Sequence, residues 1–197
     1  VRRADGSFLS EEGINIDMTP VKSGERYFYV WSHRKNIGTP FDTGSMLMIA
    51  EFDPVHPERL TSEPKCLSRP LYGFENTEHT INNEGPYAFY YHNKIYLAYS
   101  GGDARGYLYA IGMLTANDGD DLCDLSVWEK AKTPIASFAT IPGEYGPGHN
   151  SFFWDRDQNL WIAYHAVTSF EEKIVSSGMR RVYFEQDKTP RFDVIVE

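Results

Sequence analysis

Two carboxylic acids and an imidazole recur in this chain at nearly equal spacing. They are Asp17, Glu84 and His149, separated by 84 − 17 = 67 and 149 − 84 = 65 residues. Glu84 stands in Asn82-Asn83-Glu84-Gly85-Pro86. The Gly-Pro pair excludes a helix interior or a central strand there, because proline has no N–H to give a ladder. Residues 87–100 alternate apolar and polar, break at His92-Asn93-Lys94 and alternate again, which predicts strand, tight turn, strand. A carboxyl group at the mouth of a hairpin is able to point into a cleft. Two carboxyl groups kept in different protonation states are equipment for general acid–base chemistry.

The elements that must position these groups repeat with them. Ile16-Asp17-Met18-Thr19-Pro20 leads into a strand, a turn at Ser23-Gly24 and an aromatic second strand ending near Trp31. Gly148-His149-Asn150-Ser151-Phe152 does the same, with its turn at 155–159. Two further strand candidates follow in each copy: 45–52 and 65–71, then 106–114 and 126–135, then 179–184 and 191–196. Four short strands at a fixed period predict β-propeller blades, with the first strand of each blade lining a central shaft. Three polar residues at one repeat position then converge on that axis.

Bulk properties restrict the remaining classes. The 197 residues are 41% hydrophobic and 15% aromatic, enough for a packed core and against disorder. A net charge of −9, with no basic run, argues against a nucleic-acid partner. No apolar run reaches the roughly 18 residues of a membrane span. Cys66 and Cys123 lack metal-like spacing and read as free thiols. The acidic stretch Asn117-Asp118-Gly119-Asp120-Asp121 reads as a solvated turn rather than a calcium loop. The first residues contain no initiator Met, apolar core or signal-like cleavage site, so the chain reads as cut from something longer and its localisation is not legible.

Taken in order, the motifs Ile16-Asp17-Met18-Thr19, Asn83-Glu84-Gly85-Pro86 with Tyr96-Leu97-Ala98-Tyr99-Ser100, and Gly146-Pro147-Gly148-His149-Asn150-Ser151-Phe152 with Tyr164-His165-Ala166 resemble glycoside hydrolase family 43. The likeness is nearest its α-L-arabinofuranosidase and β-xylosidase-like members and covers nearly the whole chain. It implies an all-β, five-bladed β-propeller of which only about three four-stranded blades are present. These would be 13–70, 81–138 and 146–197, with 1–12 an incoming loop or the remnant of a preceding blade. The missing blades would come from the rest of the polypeptide or from a second chain.

The resemblance also implies an inverting glycosidase that cleaves terminal arabinofuranosyl or xylosyl residues from plant polysaccharide or oligosaccharide. Glu84 matches the general acid and Asp17 the carboxylate that tunes it. His149 matches an axial histidine that in many members lies beside a water-bound calcium ion; no organic cofactor is implied. Arg180 or Arg181 matches a sugar-contacting arginine. The family's base, an Asp of an earlier blade, has no match here, since Asp5 lies only 17 − 5 = 12 residues before Asp17. Trp31, Tyr99 and Trp161 suit either a sugar subsite or the core, and His165 either the axis or a structural hydrogen bond. In inverting hydrolysis the acid and base carboxyl groups stand about 6.5–9.5 Å apart, leaving room for the attacking water. The alternative is a catalytically incomplete, carbohydrate-binding propeller.

Overall fold

The computed structural model describes residues 1–169, 171 and 174–193. The chain is all-β and is built from successive antiparallel sheets, as the repeat predicts. The first sheet carries β1 (Ile14–Ser23), β2 (Arg26–Arg34), β3 (Met46–Phe52) and β4 (Lys65–Ser68), in that order. A short linking hairpin, β5 (Asn76–Thr77) and β6 (Thr80–Ile81), leads to the second sheet. That sheet carries β7 (Asn83–Tyr91), β8 (Lys94–Gly101), β9 (Ala110–Asn117) and β10 (Glu129–Lys130). The third has three strands, β11 (Tyr145–Trp154), β12 (Leu160–Val167) and β13 (Val175–Arg181). A separate two-stranded ribbon, β14 (Tyr183–Phe184) and β15 (Pro190–Arg191), follows it.

Local chemistry explains most boundaries. The β7–β8 turn places His92 and Asn93 at φ 47° and 62°, the left-handed pair that a two-residue hairpin needs. Asp155 closes the β11–β12 turn by accepting from the N–H groups of Asp157 and Asn159. Two expected outer strands are shorter than their sequence pattern suggests. β10 keeps only two residues, because Asp124 caps a 3-10 turn over Leu125–Val127 just before it and Pro134 follows. Val182 separates β13 from β14 while its N–H is still given to the Leu160 carbonyl at 2.8 Å, and the strand expected over 191–196 falls partly outside the described residues.

The core lies between the sheets. Phe28, Val30, Leu47 and Ile49 of the first sheet pack on Ile95, Leu97 and Leu114 of the second. Phe89, Tyr96 and Ile111 of the second pack on Phe152, Ile162 and Tyr164 of the third. Fully burying one such side chain contributes about 1.5–3 kcal/mol, so these seams fix how adjacent sheets sit. On the outer side of the first sheet, Leu9 and Leu60 close over Trp31, Ala50 and Phe52. Residues 1–12 dock there through a bridge from Arg2 to Arg59 and the 3-10 turn Leu9–Glu12.

The acidic stretch 117–121 joins blades as a turn. Gly24 donates its N–H to Asp118, Ser23 donates its hydroxyl to the Asp120 carbonyl, and Arg26 pairs with Asp121 at 3.0 Å. Its carboxylates are therefore engaged with protein donors. Cys66 and Cys123 are free. Among the described residues, no helix is long and apolar enough to cross a membrane.

Candidate active site

Each innermost strand is interrupted near its start by a bulge, and each bulge holds one residue in the left-handed region. These are Asp17 (φ 56°), Gly85 (φ 57°) and His149 (φ 50°). Such a φ disfavours most side chains and is most tolerated by Gly, Asn, Asp and His. The structural repeat therefore runs 85 − 17 = 68 and 149 − 85 = 64 residues. This corrects the sequence alignment by one position in the second copy. Glu84 stands one residue before the kink, level with Ile16 and Gly148, and pairs with Ser100 as Ile16 pairs with Ser32.

Adjacent sheets are joined at these kinks by a repeated hydrogen bond. The Gly85 N–H donates to Ser32 Oγ at 3.2 Å, and the His149 N–H donates to Ser100 Oγ at 2.7 Å. The second strand of one sheet thus holds the kink of the next. His165 stands at the matching place in the third sheet, opposite Gly148. Its Nε2 is buried and has no hydrogen-bond partner among the described residues.

Asp17 and His149 share one cavity, while Glu84, next to Gly85, opens on another. Asp17 Oδ2 accepts the Gly85 N–H at 3.2 Å, which ties Asp17 to the peptide beside Glu84, and His149 Nε2 lies 3.8 Å from Asp17 Oδ1. Asp17 and His149 line a cavity of about 570 Å³ with Gly85, Tyr87 and Asn150. Glu84 instead lines a smaller neighbouring cavity of about 180 Å³.

Tyr109 is a site residue that the sequence pattern did not single out. Its ring is fully buried, and its hydroxyl donates to Glu84 Oε1 at 2.7 Å. Burial, and then the adjacent Glu84 charge, push the phenol well above its usual range, so it remains a donor. The ring stacks on His165 at 5.6 Å, and His165 stacks on His149 at 6.4 Å. Burial, followed by the charge of His149, holds the His165 imidazole below its usual range. The hint in the sequence was Gly148: a Cβ there would lie 2.1 Å from Tyr109 Cε1, so only glycine leaves room for the ring.

The other predicted site residues lie elsewhere. Trp31 is 1% exposed, with its Nε1–H given to Asn15 Oδ1 at 2.8 Å, so it is core and presents no face to a sugar. Tyr99 is likewise buried, and Trp161 donates to Asp155 at the far turn. Arg180 is three ladder pairs (180 − 177) beyond the one joining His165 to Ser177, where it pairs with Glu144 Oε1 at 2.7 Å and donates to the Tyr164 hydroxyl. Arg181 lies one pair further, exposed, with its guanidinium 5.0 Å from the Tyr183 ring centroid. Neither arginine lines the two cavities.

The fit to calcium is poor. Calcium takes six to eight oxygen ligands. Among the described residues no group of three or more His, Cys, Asp or Glu side chains stands close enough to hold an ion. His149 and Asp17 alone do not make a coordination shell.

Comparison with known proteins agrees with this geometry. The family model described as Glycosyl hydrolases family 43 matches residues 5–190. The chain is 28% identical over 192 residues to the "Extracellular exo-alpha-(1->5)-L-arabinofuranosidase" of Streptomyces avermitilis, covering 93% of this chain and 38% of that protein. It is 32% identical over 156 residues to the protein of the same description from Streptomyces chartreusis, covering 79% and 45%. Among solved structures, an alpha-L-arabinofuranosidase from Lactobacillus brevis superposes with a TM-score of 0.77 at 28% identity, covering 91% of this chain and 55% of that one. The chain thus spans less than half the length of these two curated relatives. With the family model matched over most of its length, the chain belongs to glycosyl hydrolases family 43.

Proposed function

We propose that this chain supplies the acid side of an inverting glycosidase that removes terminal arabinofuranosyl or xylosyl units from plant polysaccharide or oligosaccharide. The names of its relatives favour arabinofuranosyl over xylosyl. In this reading Glu84 protonates the leaving glycosidic oxygen. Asp17 keeps that acid poised, by its charge and by fixing the peptide at Gly85. The base that activates water is a carboxylate from outside this chain.

The carrying observation is that Asp17 and Glu84, contributed by adjacent sheets, are linked through the Gly85 N–H, with Glu84 held by a buried tyrosine at the wall of a cavity. No step in this reading runs through a metal ion. His149 closes the axial cavity beside Asp17 and contributes a polar wall.

The test is Glu84→Gln in the whole protein, assayed on an aryl arabinofuranoside. A general acid contributes roughly 10²–10⁴-fold. Activity that survives within about tenfold contradicts the assignment. Oligosaccharide binding by a wild type that hydrolyses nothing favours the alternative, a carbohydrate-binding propeller without catalysis.

A further inference from the structure

A serine hydroxyl has one proton to give and two lone pairs to receive. Ser100 has no solvent exposure, sits opposite Glu84 in the β7–β8 ladder, and accepts the His149 N–H at 2.7 Å. That bond occupies a lone pair and leaves the hydroxyl proton to be placed. We propose that Ser100 is a positioning residue for the general acid: it gives this proton to the Tyr109 hydroxyl oxygen and so holds Tyr109 aimed at Glu84. The proposal rests on the glycosidase reading above and deepens it by adding a residue that acts at one remove from the acid.

Several observations lead there. Buried hydroxyl protons are seldom left without an acceptor. The gap at Gly148 brings the two groups together, since a Cβ there would lie 2.1 Å from Tyr109 Cε1 and 3.1 Å from Ser100 Oγ. Burial and the Glu84 charge push the Tyr109 phenol up, and against them Ser100 draws it down, as a donor to the phenol oxygen does. Tyr109 in turn gives its own proton to Glu84 Oε1 at 2.7 Å. The bonds thus run one way, from the His149 N–H through Ser100 and Tyr109 to Glu84, and each polarises the next.

The first sheet carries the same arrangement independently. Ser32 stands opposite Ile16 as Ser100 stands opposite Glu84. Its Oγ accepts the Gly85 N–H at 3.2 Å and donates to Asp17 Oδ2 at 3.4 Å. At both places one hydroxyl takes an N–H from the following sheet and turns its proton toward the carboxyl group of its own sheet. It does so directly for Asp17 and through a tyrosine for Glu84. With a lone pair of the Tyr109 oxygen taken by Ser100, the phenol proton keeps both bonds only by pointing at Glu84.

The experiment measures kcat and KM of the whole protein on phenyl and dinitrophenyl arabinofuranosides. The phenyl group leaves poorly and must be protonated, whereas dinitrophenolate leaves unaided, so only the first substrate reads the acid. Wild type, Ser100→Ala, Tyr109→Phe and the double variant are compared. Ser100→Ala is expected to lower kcat on the phenyl substrate by about 3–10-fold, the scale of one hydrogen bond, with KM nearly unchanged. On the dinitrophenyl substrate the loss should be less than about twofold. In the Tyr109→Phe background the same replacement should cost nothing further, because the group it acts through is gone. No loss on the phenyl substrate, an equal loss on both substrates, or an undiminished loss in the Tyr109→Phe background overturns the proposal and leaves Ser100 as a clasp only. Ser100→Cys puts a weak donor in the same space and is expected to fall between serine and alanine; it carries the same comparison if Ser100→Ala does not fold. A wild type inert on both substrates overturns the glycosidase reading and the proposal with it.

Discussion

Tyr109 donates its hydroxyl proton to Glu84 Oε1 at 2.7 Å from a ring that has no exposure to solvent. In the proposed reading of Glu84 as general acid, the bond leaves Oε2 to carry the transferable proton. A hydrogen bond to a charged group is worth about 1.5–3 kcal/mol, roughly 10–100-fold in rate when it acts on the acid. Tyr109→Phe is expected to lower kcat by that factor on an oligosaccharide, with KM changed by less than about threefold. On a glycosyl fluoride, which needs little protonation, the loss should be much smaller. Equal losses on the two substrates would mean that the tyrosine is structural only.

Gly148 tests the same contact from the other side. An alanine Cβ would meet the Tyr109 ring at 2.1 Å, and a fully buried ring has nowhere to retreat. Overpacking of this kind costs about 1–3 kcal/mol. Gly148→Ala should therefore lower the unfolding free energy, read as the midpoint shift multiplied by the m-value, by an amount in that range and reduce activity beyond what the unfolded fraction explains.

A buried ion pair anchors the segment that leads to Glu84. Glu75 has no solvent exposure and accepts from the N–H groups of Leu71 and Tyr72 and from the Tyr99 hydroxyl. Lys130 Nζ meets it at 2.5 Å and also donates to the Arg69 carbonyl. Removing one partner of such a pair leaves a buried charge and costs about 3–5 kcal/mol. Lys130→Met is expected to show a loss of that size by chemical denaturation, with part of it restored in the double variant Glu75→Gln/Lys130→Met. A loss below about 1 kcal/mol would place the pair effectively in water.

His165 makes stability depend on pH. Its imidazole is depressed in the folded state, first by burial and then by the charge of His149. As pH falls below about 6.5, the unfolded chain takes up a proton that the folded chain resists. The native state is therefore favoured fully above that value and loses ground as pH drops toward the depressed folded value. In His165→Gln the drop in melting temperature between about pH 7 and about pH 5 should be smaller than in wild type. An identical drop would remove His165 from the account.

The repeat, the strands and the nearness of Asp17 to His149 were legible because alternation and turn residues are local signals. The one-residue offset at Glu84 was not, because a bulge adds a residue without changing the apolar pattern. The better signal was conformational: Asp17, Gly85 and His149 share tolerance of positive φ, whereas Asp17, Glu84 and His149 share only polarity. Trp31 misled because an indole suits a core and a sugar face equally, and only its packing under Leu9 and Leu60 decides. For Arg180 the sequence did not show its partner, Glu144, which takes up its charge, and Arg181 lies against Tyr183. Tyr109 escaped notice because its role depends on a glycine 148 − 109 = 39 residues further along the chain.

The serine clasps at Ser32 and Ser100 have an evolutionary corollary. The placement of each kink against the preceding sheet is held by a hydroxyl reaching across the seam together with the apolar packing beneath it. Outer turns that touch neither clasp nor core are thus places where length could change while Asp17, Gly85 and His149 keep their mutual placement.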